Sequence, residues 1–279
     1  MKILIINILL LLVILSDILN FRLNDQKLFK KLDINQDRIN IKYYEKDYFN
    51  IRYVDVGEKN NRMVIFIHGA PGSLDAFLGF LNDSSLRRRV RMIAVDRPGY
   101  GYSNLGNALP SIKDQTSCLA PLLDINRHEN KPIIVGHSYG GTIAASLAMH
   151  NPDKVGGILL VGPAVDPDHE KIFWVSYLLK LPWISLIFPA SIMVSNIEKL
   201  NHEEELKKML PDWGRIQIPV TILHGEKDGL VPVENAYFCD SMLTKADKKL
   251  VVKKNIGHLI PWTHPELMKK EIFDMLEQH

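Results

Sequence analysis

The run Gly136-His137-Ser138-Tyr139-Gly140-Gly141 places a serine at the centre of G-x-S-x-G. A serine hydroxyl is a weak nucleophile until a base takes its proton, so it has to project into open space beside an imidazole. The motif supplies that projection only in context. Here the apolar run Ile133 to Val135 precedes it and the alanine-rich stretch from Tyr139 to His150 follows, so Ser138 sits where a strand turns sharply into a helix. Such a helix points its free N–H groups at the reacting centre, which makes the Tyr139 N–H one donor to a developing oxyanion. A second is expected from His68-Gly69-Ala70-Pro71-Gly72, where we assign Ala70 N–H because Pro71 has none to offer. His68 reads as a structural histidine holding that loop.

The base and its orienting acid belong at other strand ends. Val220 to Leu223 is followed by His224-Gly225-Glu226-Lys227-Asp228, and Leu250 to Val252 by Asn255-Ile256-Gly257-His258. This points to Asp228 as the acid and His258 as the base, in the chain order Ser, acid, His. Competing acids are Asp166, Asp168 and Glu226; competing bases are His224 and His264, the latter at the head of the last helix.

Elements that could carry these residues are legible in the periodicity. Ile41 to Tyr44 and Phe49 to Val56 form a hairpin pattern around Glu45-Lys46-Asp47. Uninterrupted apolar runs follow at Met63–Ile67, Met92–Val95, Ile133–Val135, Gly157–Val161, Val220–Leu223 and Leu250–Val252, which implies strands buried on both faces. Helical patterns separate them at Leu74–Leu81, Ile112–His128, Tyr139–His150, Glu234–Leu243 and Pro265–Glu277, so the fold class is α/β with a largely parallel sheet. Residues 164–215 break the alternation. They hold an apolar part from Ile172 to Val194, interrupted by Pro182 and Pro189, and a charged helix from Glu198 to Met209, and read as an insertion over the strand ends.

Taken with Asp96-Arg97-Pro98-Gly99-Tyr100-Gly101, these motifs make the chain from about Ile41 onward resemble the α/β-hydrolase superfamily. The resemblance implies an eight-stranded, mostly parallel sheet with a helical cap at about 164–215, and a structural role for Asp96 and Arg97. Haloalkane dehalogenases and epoxide hydrolases share the layout but use an aspartate nucleophile, which Ser138 argues against. The implied activity is cofactor-independent hydrolysis of a carboxylic ester through an acyl-enzyme, with no metal. A thioesterase, amidase or peptidase would use the same residues, and an acyltransferase or a binding protein could share the scaffold. Cap residues Phe173, Trp174, Tyr177, Leu178, Leu179, Trp183 and Phe188 are expected to line an apolar acyl pocket, or to glue the cap to the domain or touch a membrane.

Composition bounds the partners. The 34 basic and 32 acidic residues are spread along the chain for a net charge of +2, which gives no nucleic-acid footprint. Cys118 and Cys239 read as buried small hydrophobes. From Ile3 to Leu15 there is no charge, so residues 1–20 read as an export signal or an N-terminal membrane anchor. Leu15-Ser16-Asp17 offers no A-x-A-like cleavage site, which favours the anchor, although Arg22, Lys27, Lys30 and Lys31 just beyond it run against the usual charge bias. A place in the cell envelope, membrane-anchored or exported through this segment, is the expectation. Residues 21–40 read as a linker or an amphipathic lead-in helix, and 41–279 as the catalytic domain.

Overall fold

The computed structural model describes residues 20–32, 39–172, 174–181 and 188–277. Eight strands form one sheet: β1 (Ile39–Lys46), β2 (Phe49–Val56), β3 (Arg62–Ile67), β4 (Val90–Val95), β5 (Ile133–His137), β6 (Gly157–Val161), β7 (Val220–Gly225) and β8 (Lys248–Lys253). Their spatial order is β1-β2-β4-β3-β5-β6-β7-β8. β1 and β2 pair antiparallel, as do β2 and β4; every later pair is parallel. The largely parallel, eight-stranded α/β architecture is as the apolar runs imply.

Alternation along each strand divides the core in two. In β3, Met63, Ile65 and Ile67 enter one apolar cluster while Val64 and Phe66 enter the other, on the opposite face. Burial on both faces is what turns these segments into continuous apolar runs rather than alternating ones. The edge strand β8 is only partly covered and begins with exposed Lys248 and Lys249, charges that discourage edge pairing.

The helices that matter for the site are α1 (Asp25–Lys31), α2 (Ile112–Leu119), α3 (Tyr139–His150), α4 (Ala190–Met209), α5 (Glu234–Met242) and α6 (Pro265–Glu277). Helix α2 is shorter than its sequence pattern suggests. Pro121 cannot donate the next i to i−4 bond, and the chain continues as a 3-10 turn over Ala120–Ile125. The 74–81 helix likewise divides, into a 3-10 turn (Leu74–Phe77) and a short helix (Leu78–Asn82). A further helix, Ser84–Arg89, escaped the pattern; Asp83 caps it by accepting the Ser85 and Leu86 N–H groups.

Two segments take more definite form than the sequence pattern implies. Of the two readings of residues 21–40, the described part has the lead-in helix: α1 is packed into the domain, with Leu28 and Leu32 fully buried in the core. Its apolar content is small, but Arg52 pairs with Asp25 at 2.8 Å and donates to Leu23 O at 3.1 Å, and Asn82 donates to Lys31 O at 2.8 Å. In the cap, the charged 198–209 segment is the second half of a 20-residue helix, α4, that begins directly after Pro189. Among the described residues no helix is long and apolar enough to cross a membrane. The apolar segment Ile3 to Leu15 lies outside them, as do Phe173 and Trp183.

Candidate active site

The strand ends of β3, β5, β6, β7 and β8 converge on one region because parallel strands all present their carboxyl ends to the same edge. Ser138 follows β5 directly, with φ 56° and ψ −124°, a left-handed backbone that a non-glycine residue adopts only when its surroundings enforce it. Those surroundings are hydrogen bonds from Ser138 N to Val161 O (2.9 Å) and from Gly141 N to Ser138 O (2.8 Å). They also include close packing of α3 on β3. A methyl group added to Gly140 would lie 2.2 Å from Ile67 O, so only glycine lets the helix start there.

Asp228 and His258 are joined directly, His258 Nδ1 donating to Asp228 Oδ2 at 2.6 Å. The other carboxylate oxygen accepts the backbone N–H groups of Leu230 (2.9 Å) and Val231 (2.8 Å). Burial works against the ionised form, but the His258 hydrogen bond and charge and the Val231 N–H hold the Asp228 carboxyl below its usual range. Ser138 and His258 line the same two cavities. No hydrogen bond joins their two side chains; hydrogen bonds of this kind commonly tighten only around substrate.

The loop after β3 comes against Ser138. A Cβ on Gly69 would sit 2.9 Å from Ser138 Cβ, so the chain passes Ser138 at backbone contact distance and carries Ala70 into both cavities. The loop is held from behind. His68 is fully buried, its Nε2 accepting the Arg97 N–H (3.0 Å) and its Nδ1 donating to Gly69 O (2.7 Å). Burial and the Arg97 charge keep the ring neutral.

Arg97 uses all five of its N–H donors on buried acceptors. Nε donates to His68 O (3.0 Å) and one terminal nitrogen to Gly69 O (3.1 Å), while the remaining donors reach Gln115 Oε1 (2.7 Å) and both oxygens of Glu198 on α4 (2.7 and 3.1 Å). The guanidinium also lies 4.6 Å from the Tyr139 ring centre, and His202 of α4 stacks on Tyr139 at 4.5 Å. The cap helix is thereby tied to the Tyr139 ring and, through Arg97, to the loop that carries Ala70. Asp96 has a separate, structural task, accepting the Leu74 and Tyr102 N–H groups at 2.8 and 2.9 Å.

The competing residues are occupied elsewhere. Asp166 caps its own turn through Asp168 N (2.9 Å) and binds His169 Nδ1 (2.7 Å); Asp168 and Glu226 are exposed. His224 is the exception: its Nε2 donates to Val231 O (3.0 Å) and lies 3.4 Å from Asp228 Oδ2, so it braces the Asp228 loop from the buried side, and His264 is exposed beside Thr263. His137 is the residue that motif reading passed over as a spacer. Its Nε2 donates to the His258 carbonyl (3.1 Å), and its ring lies 4.8 Å from that of His258. Burial and the adjacent His258 depress its pKa to about 3, so it remains a neutral donor.

Eight strands in this order, with a strand-serine-helix turn and an Asp–His pair at their carboxyl ends, agree with the family match, which is to the α/β hydrolase fold over residues 62–182. The chain has the α/β-hydrolase fold. This α/β-hydrolase is 25% identical over 265 residues to 2-hydroxy-6-oxononadienedioate/2-hydroxy-6-oxononatrienedioate hydrolase 2 of Pseudomonas putida, covering 81% of this chain and 91% of that enzyme. Among solved structures it is similar to a bacterial membrane phospholipase A, with TM-score 0.68 and 19% identity over 100% of this chain and 99% of the other. It is also similar to carboxylesterase CesB of Bacillus subtilis, with TM-score 0.65 and 16% identity over 90% and 95%.

Two cavities open at Ser138. The larger, about 670 Å³, runs between the loop after β3, the Ala76 and Leu78 side chains, Leu259 and Trp262, and the segment Phe21 to Lys31. The smaller, about 400 Å³, lies under the cap and includes Glu170, Lys199 and His202. The expected cap-lined acyl pocket is therefore misplaced. Leu179 lines the smaller cavity, but Trp174, Tyr177, Leu178 and Phe188 are exposed and line neither. The short helix Val175–Leu178 turns Ser176 inward, which sends the following residues out.

Proposed function

We propose that this α/β-hydrolase cleaves carboxylic esters of apolar acids, with Ser138 as nucleophile, His258 as base and Asp228 as its orienting acid. The observation that carries the reading is the 2.6 Å Asp228–His258 hydrogen bond at the mouth of a cavity that also holds the strained Ser138 elbow. His258 Nε2 takes the Ser138 proton as Oγ bonds to the ester carbonyl carbon; Tyr139 and Ala70 N–H groups hold the oxyanion. Collapse breaks the carbon–oxygen bond, and His258 returns the proton to the departing alcohol. Water then repeats the sequence on the acyl-enzyme and releases the acid.

The larger cavity supports an apolar acyl arm, because its walls are chiefly aliphatic and aromatic and its volume falls in the range of ordinary ligand sites. The likeness to a carboxylesterase and a phospholipase is consistent with this reading. Labelling with a fluorophosphonate tests it: the wild type labels and Ser138→Ala does not, both folded by circular dichroism. A folded wild type that resists the probe ends the serine-hydrolase reading. A series of nitrophenyl esters then reports chain length, and activity confined to the acetate would reject the apolar arm.

A further inference from the structure

The mouth of the larger cavity has a surface chemistry that hydrolysis of a soluble ester does not require. Phe21, Leu230, Leu259 and Trp262 all line this cavity, and each is also about half exposed. They come from separate parts of the chain, yet the fold gathers them around one opening. Apolar side chains scattered singly need no explanation, whereas a rim of them around one entrance marks a surface that is covered in use. Lys27 and Lys31 of α1, both exposed, belong to the same lining. Among the described residues the only carboxylate in that lining is Asp75, which is largely buried rather than displayed.

We propose that this mouth is a docking face for an anionic lipid surface, with the aromatic and leucine side chains entering the headgroup boundary and the lysines meeting lipid phosphates. Trp, Phe and Leu beside Lys is the side-chain combination that resides at such interfaces. The chain leading to the mouth is consistent with this occupant. Residues 1–19, uncharged from Ile3 to Leu15, run into Phe21, so any bilayer that holds that segment is brought to the cavity entrance. The docking itself needs no catalysis; that the lipid supplies the ester rests on the function proposed above.

The full-length chain is mixed with phosphatidylglycerol or phosphatidylcholine vesicles carrying brominated acyl chains. The quenching read is the difference between wild type and Trp262→Phe, which isolates Trp262. We expect quenching on phosphatidylglycerol and much less on phosphatidylcholine. For Lys27→Gln/Lys31→Gln, half-maximal quenching should require about thirtyfold more anionic lipid, from roughly a fivefold loss per lysine. Tyr48→Ser, at the exposed β1–β2 turn, should leave the titration unchanged. Vesicle binding without Trp262 quenching overturns the proposal, since residues 1–19 alone would explain it. Equal quenching on both lipids, or self-association that shields Trp262 from lipid, overturns it as well. Ser138→Ala should dock like the wild type; docking by a chain that resists fluorophosphonate would remove the esterase reading and leave the docking face standing.

Discussion

Glu198→Ala is the substitution whose cost can be worked most directly from the structure. Arg97 and Glu198 are both fully buried and share two hydrogen bonds, and the Tyr100 hydroxyl (2.5 Å) and Gln115 amide (2.8 Å) also donate to Glu198. Burial by itself would lower the Arg97 pKa, but the Glu198 carboxylate more than offsets this and raises it above its ordinary value. Removing that carboxylate leaves a buried, uncompensated guanidinium, a change that costs about 3–5 kcal/mol. Two orphaned donors add to this, each on the order of 1–3 kcal/mol but not additively, so we expect a loss of about 5 kcal/mol. Urea unfolding at neutral pH reads it as a fall in midpoint at constant slope. Arg97→Met/Glu198→Met removes both charges, and buried pairs replaced by apolar side chains are often near neutral, so the double variant should recover more than about 2 kcal/mol of the single loss. The surviving protein should also label more slowly with fluorophosphonate, because Arg97 holds the His68 and Gly69 carbonyls of the proposed oxyanion loop. A Glu198→Ala loss under about 1 kcal/mol, or a double variant no more stable than Glu198→Ala, would refute the reasoning.

Three other outcomes follow from the same geometry. Asp228→Asn keeps the acceptor for the Leu230 and Val231 N–H groups but turns an amide toward His258 Nδ1, which favours the tautomer unable to take the serine proton; ester hydrolysis should fall roughly 10³–10⁴-fold with the unfolding midpoint little changed. Burial, with the Asp96 charge adding to it, raises the Asp75 pKa to about 7 in the fold, so the folded state holds a proton that the unfolded chain releases near pH 4. Stability from that proton is complete below pH 4 and lost as pH rises to about 7, so Asp75→Asn should gain stability over wild type at pH 8 by up to a few kcal/mol and scarcely at all at pH 4, as read by thermal unfolding. Gly140→Ala must push a methyl group into Ile67 O and His68 O, 2.2 and 2.7 Å away, and should cost more than about 2 kcal/mol in urea unfolding while slowing Ser138 labelling.

Much of the site is legible in one dimension because its parts are local. A strand, a turn and a helix meeting at Ser138 need only consecutive residues, and each apolar run ends in the loop that carries its polar group. Strand pairing could be inferred as largely parallel because burial on both faces leaves its mark on composition. What failed was orientation. The aromatic residues of the cap looked like a pocket lining, but a four-residue helix can turn either face inward, and nothing within Val175–Leu178 decides which.

By itself, the sequence determined the α/β class, the order of the strands' polar loops and the residues able to act as nucleophile, acid and base, since these depend on periodicity and on what each side chain can do. Only the tertiary structure decided which of several acids faces His258, that His137 supports that histidine's carbonyl, and that α1 joins the domain to build one wall of the larger cavity. It also decided that Glu198 reaches Arg97 across 101 positions of chain. Such contacts are set by the packing of elements distant in sequence, and a buried ion pair is invisible in one dimension because each partner alone reads as an ordinary surface charge.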